Sequence, residues 1–184
     1  GPADTFDPLL FTSTIDYARG RAHFNSLLQF NDDMSMRGEL ATEWSSNSNA
    51  TEFTFKLQKG VKFHDGSDFT ADDVVYSMNR HLIKDSVSKA KGLVSMVSEW
   101  KKVDSHTVKA ILSSPNSDLP QILGTFHFKI VKNDAENIDD ILPDFLTRTA
   151  HKIDSEKRVS IQGLIQKYID HSISSTINLP EDIN

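Results

Sequence analysis

The run from Glu52 to Leu82, EFTFKLQKGVKFHDGSDFTADDVVYSMNRHL, changes its hydrophobic period once, and that change limits the fold more than any other feature. Phe53, Phe55 and Leu57 alternate with Thr54 and Lys56, the period-two pattern of a strand with one buried face. Val61 and Phe63 carry the extended pattern past Gly60. His64-Asp65-Gly66-Ser67 then reads as a turn in which Asp-Gly supplies a positive φ angle. Thr70 is placed as a helix N-cap whose hydroxyl accepts from the amide of Asp73, with Asp72 and Asp73 at the positive end of the dipole. Val74, Val75, Met78 and Leu82 fall on one stripe of that helix.

The flanks supply further elements. Residues 16–28 carry Tyr17, Phe24, Leu27 and Leu28 at helical spacing, although Gly20 weakens the pattern. The cluster SSNSNA is a turn, SHTVKAIL a strand, DLPQILGTF a short helix, and FHFKIVKN a further alternating strand. The expected fold class is α+β: a small, twisted, largely antiparallel sheet with packed helices in a single compact domain.

Composition closes off several function classes. The formal charge of −6 argues against a nucleic-acid partner, because phosphate neutralisation needs a clustered Lys/Arg face. Nothing approaches the 18 or so consecutive apolar residues of a membrane-spanning helix. The opening GPADTFDPLL has neither a basic n-region nor an apolar h-region, so no signal peptide is expected there. With no cysteine, the chain has no disulfide, thiolate metal site or thiol nucleophile.

His64 is the most conspicuous candidate for chemistry, and it reads as a turn residue that caps a backbone group or packs on Phe63. A base or metal ligand needs partners. His23, His81, His106, His127, His151 and His171 are scattered without ligand spacing, and there is no HExxH pair. Asp72 and Asp73 are adjacent on a helix, about 100° apart, so they cannot share a substrate proton. GxSxG and Walker loops are missing, and the sequon Asn49-Ala50-Thr51 is too short a match to carry weight. The expectation is therefore no catalytic, metal, cofactor-binding or ligand-binding residue, and no cofactor.

The stretch from Glu39 to His81 resembles the signature region of extracytoplasmic solute-binding proteins of the dipeptide/oligopeptide ABC-importer family. Leu40, Ala41, Trp44, Phe53, Phe55, Gly60, Val61, Lys62, Phe63, His64, Asp65, Gly66, Phe69, Thr70, Ala71, Asp73 and Val74 carry the likeness. DTFDPL near the start and VDSHTVKAILSSPNSDLPQIL later on extend it over about residues 3–134. The resemblance implies a small N-terminal α+β subdomain that buttresses the first lobe, with most ligand contacts coming from the two larger lobes. It also implies a parent that binds peptides or other small solutes, docks on an ABC permease and works outside the cytoplasm.

After FHFKIVKND the pattern changes. Residues 135–184 resemble a fragment of the adenosylcobalamin-dependent ribonucleotide reductases, whose parent is cytoplasmic. Leu142, Pro143, Asp144, Phe145, Ala150, His151, Ile153, Gln162, Gln166, Lys167, Asp170, Ile173, Ser174, Thr176, Ile177, Asn178, Leu179 and Pro180 carry this likeness. Reductase chemistry runs through a thiyl radical and a cysteine pair, so a chain without cysteine cannot perform it. What remains is a helix over 155–170, N-capped by Asp154, with Ile161, Leu164, Ile165 and Tyr168 on one face, followed by a strand in SSTINLP.

The expected organisation is a chimera: a solute-binding-protein-like subdomain over 1–134 and a reductase-like helix/strand segment over 135–184 packed on it. The leading functional expectation is a non-catalytic, monomeric piece of an importer's binding protein without autonomous ligand binding. The alternative is a truncated transport component that still binds peptide; an enzyme fragment is the weakest reading.

Overall fold

Residues 7–133 are described by the structure, a computed structural model. By its internal contacts the chain divides into two units, Gly1–Ile141 and Leu142–Asn184, and every described residue lies in the first.

The elements follow in the order α1 (Thr14–His23), β1 (Leu28–Phe30), β2 (Met36–Gly38), β3 (Ala41–Ser46), β4 (Glu52–Leu57), α2 (Ala71–Leu82), β5 (Val97–Asp104), β6 (Thr107–Leu112) and α3 (Leu119–Leu123). Short 3₁₀ turns occupy Pro8–Leu10 and Lys91–Val94. β3, β4, β6 and β5 form an antiparallel sheet in that order, and β1 pairs with β2 in a separate small ribbon. The fold class is the α+β arrangement expected.

The sheet is one-sided, as the alternation of β4 requires. Phe53, Phe55 and Leu57 are buried, and opposite them Ala110 pairs with Phe53 and Val108 with Phe55. Trp100 of β5 lies beside Ala110 in register and its ring sits 5.6 Å from that of Phe55. α2 covers this face with Val74 and Met78, both buried in the same core. Each such side chain contributes about 1.5–3 kcal/mol when fully removed from water, so this face dominates the stability of the unit. The other face is polar, with ion pairs Lys56–Glu43 at 2.7 Å, Lys109–Glu52 at 2.6 Å and Lys101–Glu99 at 3.1 Å. The Lys56–Glu43 and Lys101–Glu99 pairs are exposed and add little, while Lys109–Glu52 is half-buried. Both edge strands carry register shifts, at Ala41/Glu43 in β3 and at Val97/Glu99 and Lys102/Asp104 in β5. Bulges of this kind discourage edge-to-edge pairing with another chain.

Several expectations change. The first helix covers Thr14–His23 rather than residues 16–28: Phe24 is its C-cap, Leu27 follows it, and Leu28 opens β1. Leu27 and Leu28 are fully buried, so their burial, not a helical period, explains their apolar character. The deepest stripe of α2 is Val74, Ser77, Met78 and His81, while Val75 and Leu82 are only partly buried at the core margin. FHFKIVKN is no strand of the sheet. It is an extended strap with one isolated antiparallel bridge, Ser26 to Lys129, and Phe128, Lys129, Ile130 and Val131 are all buried. The helix over 155–170, the strand after it, His151 and His171 lie outside the described residues.

Candidate functional site

The histidine turn is built from backbone geometry and local hydrogen bonds. Gly66 has φ +88°, its amide donates to the Phe63 carbonyl at 2.9 Å, and the Phe63 amide donates to Ser67 O at 2.9 Å. Asp65 Oδ1 accepts from the Ser67 amide at 2.9 Å and the Ser67 hydroxyl at 2.6 Å. Its other oxygen accepts from Lys132 Nζ at 2.9 Å. The Ser67 hydroxyl and amide, followed by Lys132, hold the Asp65 carboxyl well below the usual carboxylate range. His64 is exposed, and its Nε2 lies 3.1 Å from the His23 carbonyl. The turn therefore joins the end of α1 to the strap, and His64 bonds to backbone as the sequence suggested.

Helix α2 begins as expected but divides its two acids between different tasks. Thr70 Oγ1 accepts from the Asp72 amide at 3.3 Å, within a capping box completed by Asp73, which accepts from the Thr70 amide at 2.8 Å. Asp72 points out and pairs with Lys102 at 2.7 Å. Asp73 is buried and its Oδ1 accepts from the Asn133 amide at 3.0 Å. One turn further along, Ser77 Oγ donates to the Val131 carbonyl at 3.0 Å and accepts from the Val131 amide at 2.9 Å. A buried strap has backbone groups that must find partners, and here helix side chains replace a neighbouring strand. On its other side, Ile130 N donates to Asn25 O at 2.9 Å and Lys129 Nζ donates to Ser26 Oγ at 3.0 Å. Burial lowers the Lys129 pKa, an effect opposed by Glu39 and reinforced by Arg21. Glu39 in turn accepts from Asn25 Nδ2, the Ser26 amide and Gln29 Nε2 at 2.6–2.7 Å.

The other described histidines do not converge. His81 is buried with its Nδ1 2.7 Å from Ser88 Oγ and its ring 4.9 Å from Phe128. Burial, then the neighbouring Arg80 and His127, push its pKa down to about 4. His106 sits in the β5–β6 turn, with its Nδ1 3.0 Å from Ser105 Oγ. His127 has its Nδ1 buried without a hydrogen-bond partner among the described residues, and burial lowers its pKa. Beside it, Tyr17 stacks on Phe126 at 4.9 Å and 25°, and meets the His127 ring edge-on at 5.3 Å. Among the described residues no group of three or more His, Asp or Glu side chains is arranged to hold a metal ion. No described helix is long and apolar enough to cross a membrane.

An α2-capped sheet, an Asp-Gly turn and a buried return strap make up the described unit. Residues 35–158 match the bacterial extracellular solute-binding proteins, family 5, middle region. The chain belongs to this family. Within the family, it is 33% identical over 136 residues to the dipeptide-binding protein of Escherichia coli K12, covering 64% of this chain and 25% of that protein. It is 32% identical over 113 residues to the glutathione-binding protein GsiB of Pectobacterium atrosepticum, covering 61% of this chain and 22% of that one. Among solved structures, AgaA of A. tumefaciens R10, bound to agropinic acid, superposes with a TM-score of 0.68 at 26% identity, over 83% of this chain and 29% of that one. The oligopeptide-binding protein AppA of Bacillus subtilis, bound to a nonapeptide, shares the fold with a TM-score of 0.66 at 23% identity, over 75% and 28% of the two chains. The chain therefore spans about a quarter of the length of the curated family-5 relatives it matches.

The sequence reading missed the strap's partners. Ser77 and Asp73 carry small polar groups on the inward side of an amphipathic helix, and that was the available signal: a buried polar side chain needs a partner. It also missed the Tyr17–Phe126–His127 group, in which Tyr17 lies more than a hundred positions from the other two and meets them only in the folded chain.

Proposed function

We propose that this chain is a non-catalytic part of the first lobe of an ABC importer's extracytoplasmic binding protein, with peptides or peptide-like solutes as the parent's cargo and the importer's permease as its docking partner. The observation that carries this reading is the family match over residues 35–158 together with the quarter-length coverage of a dipeptide-binding relative. The glutathione-binding and nonapeptide-bound relatives favour the same solute class. Enclosing a small ligand requires walls on several sides, and most of a drug-sized ligand's surface is buried in a good site. One subdomain supplies a single wall. The chain on its own is accordingly a monomer without tight peptide binding.

Residues 135–184 are, in this proposal, a reductase-like graft without reductase activity. Its support is the motif run from Ile173 to Pro180, which lies beyond the family match; that match reaches residue 158 and takes in the earlier part of the segment. Calorimetry with mixed di- to pentapeptides tests the functional reading. The expected result is no saturable heat in the micromolar range, with any dissociation constant roughly millimolar or weaker. A micromolar constant would show that the chain is an autonomous binder and overturn the proposal.

A further inference from the structure

The group formed by Tyr17, Phe126 and His127 is the one place among the described residues where an exposed aromatic surface and an unsatisfied polar atom coincide. Phe126 is 46% exposed while it stacks on Tyr17, so part of the pair's aromatic surface reaches solvent. His127, edge-on to Tyr17, keeps a buried Nδ1 with no hydrogen-bond partner among the described residues. Arg21, exposed and four residues after Tyr17 on α1, places a guanidinium on the same helix face. Stacked rings take another aromatic or long apolar group, and a guanidinium takes a carboxylate with paired hydrogen bonds.

We propose that Tyr17, Phe126, His127 and Arg21 form a solute-recognition ledge that takes an aromatic side chain against the Tyr17–Phe126 stack and a free carboxylate at Arg21. The ledge rests on the reading of the chain as one wall of a peptide-binding protein, and it names the part of the peptide that this wall reads. Hydrophobic contact on one wall and a single exposed charge pair give weak binding, in keeping with the roughly millimolar constant expected above.

The experiment is an NMR titration of the full 184-residue chain with three probes: Ala-Phe, Ala-Phe amide and Ala-Ala. Ala-Phe is expected to shift the ring signals of Tyr17, Phe126 and His127 with a roughly millimolar midpoint. The amide, lacking the carboxylate, should bind at least about threefold more weakly, and Ala-Ala should leave the ring signals in place. Phe126→Ala should abolish the response while the buried methyl signals stay dispersed, and Arg21→Gln should bind Ala-Phe as weakly as the parent binds the amide. Equal responses to Ala-Phe and Ala-Ala, an unchanged response in Phe126→Ala, or no ring shift at tens of millimolar peptide would each overturn the ledge. None of these results would touch the family reading, which the micromolar calorimetric outcome tests separately.

Discussion

Gly20 sits in the interior of α1, where alanine ordinarily stabilises a helix by about 0.8–1 kcal/mol. Replacing it with alanine in this protein is nevertheless expected to destabilise. A Cβ built on Gly20 falls inside van der Waals contact of Phe11 Cε2, with Phe11 Cδ2 at 3.2 Å and Cζ at 3.3 Å. Phe11 has no exposed surface, so its ring has no open side into which to swing. Forcing a methyl into a filled core costs about 1–3 kcal/mol. Setting that against the propensity gain leaves a net loss of up to about 2 kcal/mol. For a unit that runs from Gly1 to Ile141 each kcal/mol corresponds to roughly 4 °C in melting temperature, so Gly20→Ala should melt several degrees below the parent. Circular dichroism melts at pH 7 measure this directly. A companion variant, Phe11→Leu with Gly20→Ala, removes the ring atoms in conflict and should recover part of the loss that Gly20→Ala shows against its own Phe11→Leu background. A melting temperature at or above the parent's for Gly20→Ala alone would refute the close-packing argument and leave helix propensity as the deciding term.

Two further outcomes follow from the turn and the buried histidine. Gly66→Val should lower stability by at least about 1 kcal/mol, because φ is +88° and a β-branched L-residue is strained there even though nothing lies within 4 Å of its Cβ; an unchanged melting temperature would show that the turn can adopt another conformation at no cost. His81 favours its neutral form in the folded chain, with a pKa lowered from 6.5 to about 4. Its contribution is therefore complete above pH 6.5 and is lost as pH falls toward 4, amounting to on the order of 3 kcal/mol at the lower end, with His127 acting in the same direction. Urea melts at pH 7 and 4.5 should show a clear acid loss in the parent and a smaller one in His81→Gln; identical slopes in the two proteins would remove His81 as the cause.

Legibility in the sequence followed the range of the interactions concerned. The alternation of Phe53, Phe55 and Leu57, the Asp65-Gly66 turn and the Thr70 cap are set by residues within a few positions of one another, and all three stand in the structure as read. The stripe of α2 was displaced because the period alone ranks Val75 and Leu82 above Ser77 and His81. The fold instead turns the polar pair inward, where Val131 and Ser88 wait as partners. The strap failed as a strand for the same reason. Alternation places Lys129 in solvent, yet Ser26 and Glu39 receive it inside, and those residues are contributed by a segment about a hundred positions earlier.

That contrast explains why the site was the least legible part. A buried extended segment needs partners for its backbone, and a sequence pattern supplies no way of knowing whether those partners are strands or side chains. In this chain the strap is satisfied by Ser77, Asp73 and Asn25, which spares it a place in the sheet and lets it leave along a different path. The path carries Phe126 and His127 past Tyr17 on α1, and so creates the one aromatic surface that the described fold leaves open with an unsatisfied nitrogen at its side. By holding the strap at Val131 and Asn133, the polar residues on the inner face of α2 are expected also to fix where Phe126 and His127 meet Tyr17. If so, Ser77→Ala should disturb the ring signals of Tyr17 and Phe126 as well as stability. It removes the one hydroxyl that serves both the amide and the carbonyl of Val131, at a cost of about 1–3 kcal/mol for buried groups left unpaired. A Ser77→Ala protein that loses stability while the Tyr17 and Phe126 ring signals stay unmoved would separate the strap from the ledge and break this chain of cause.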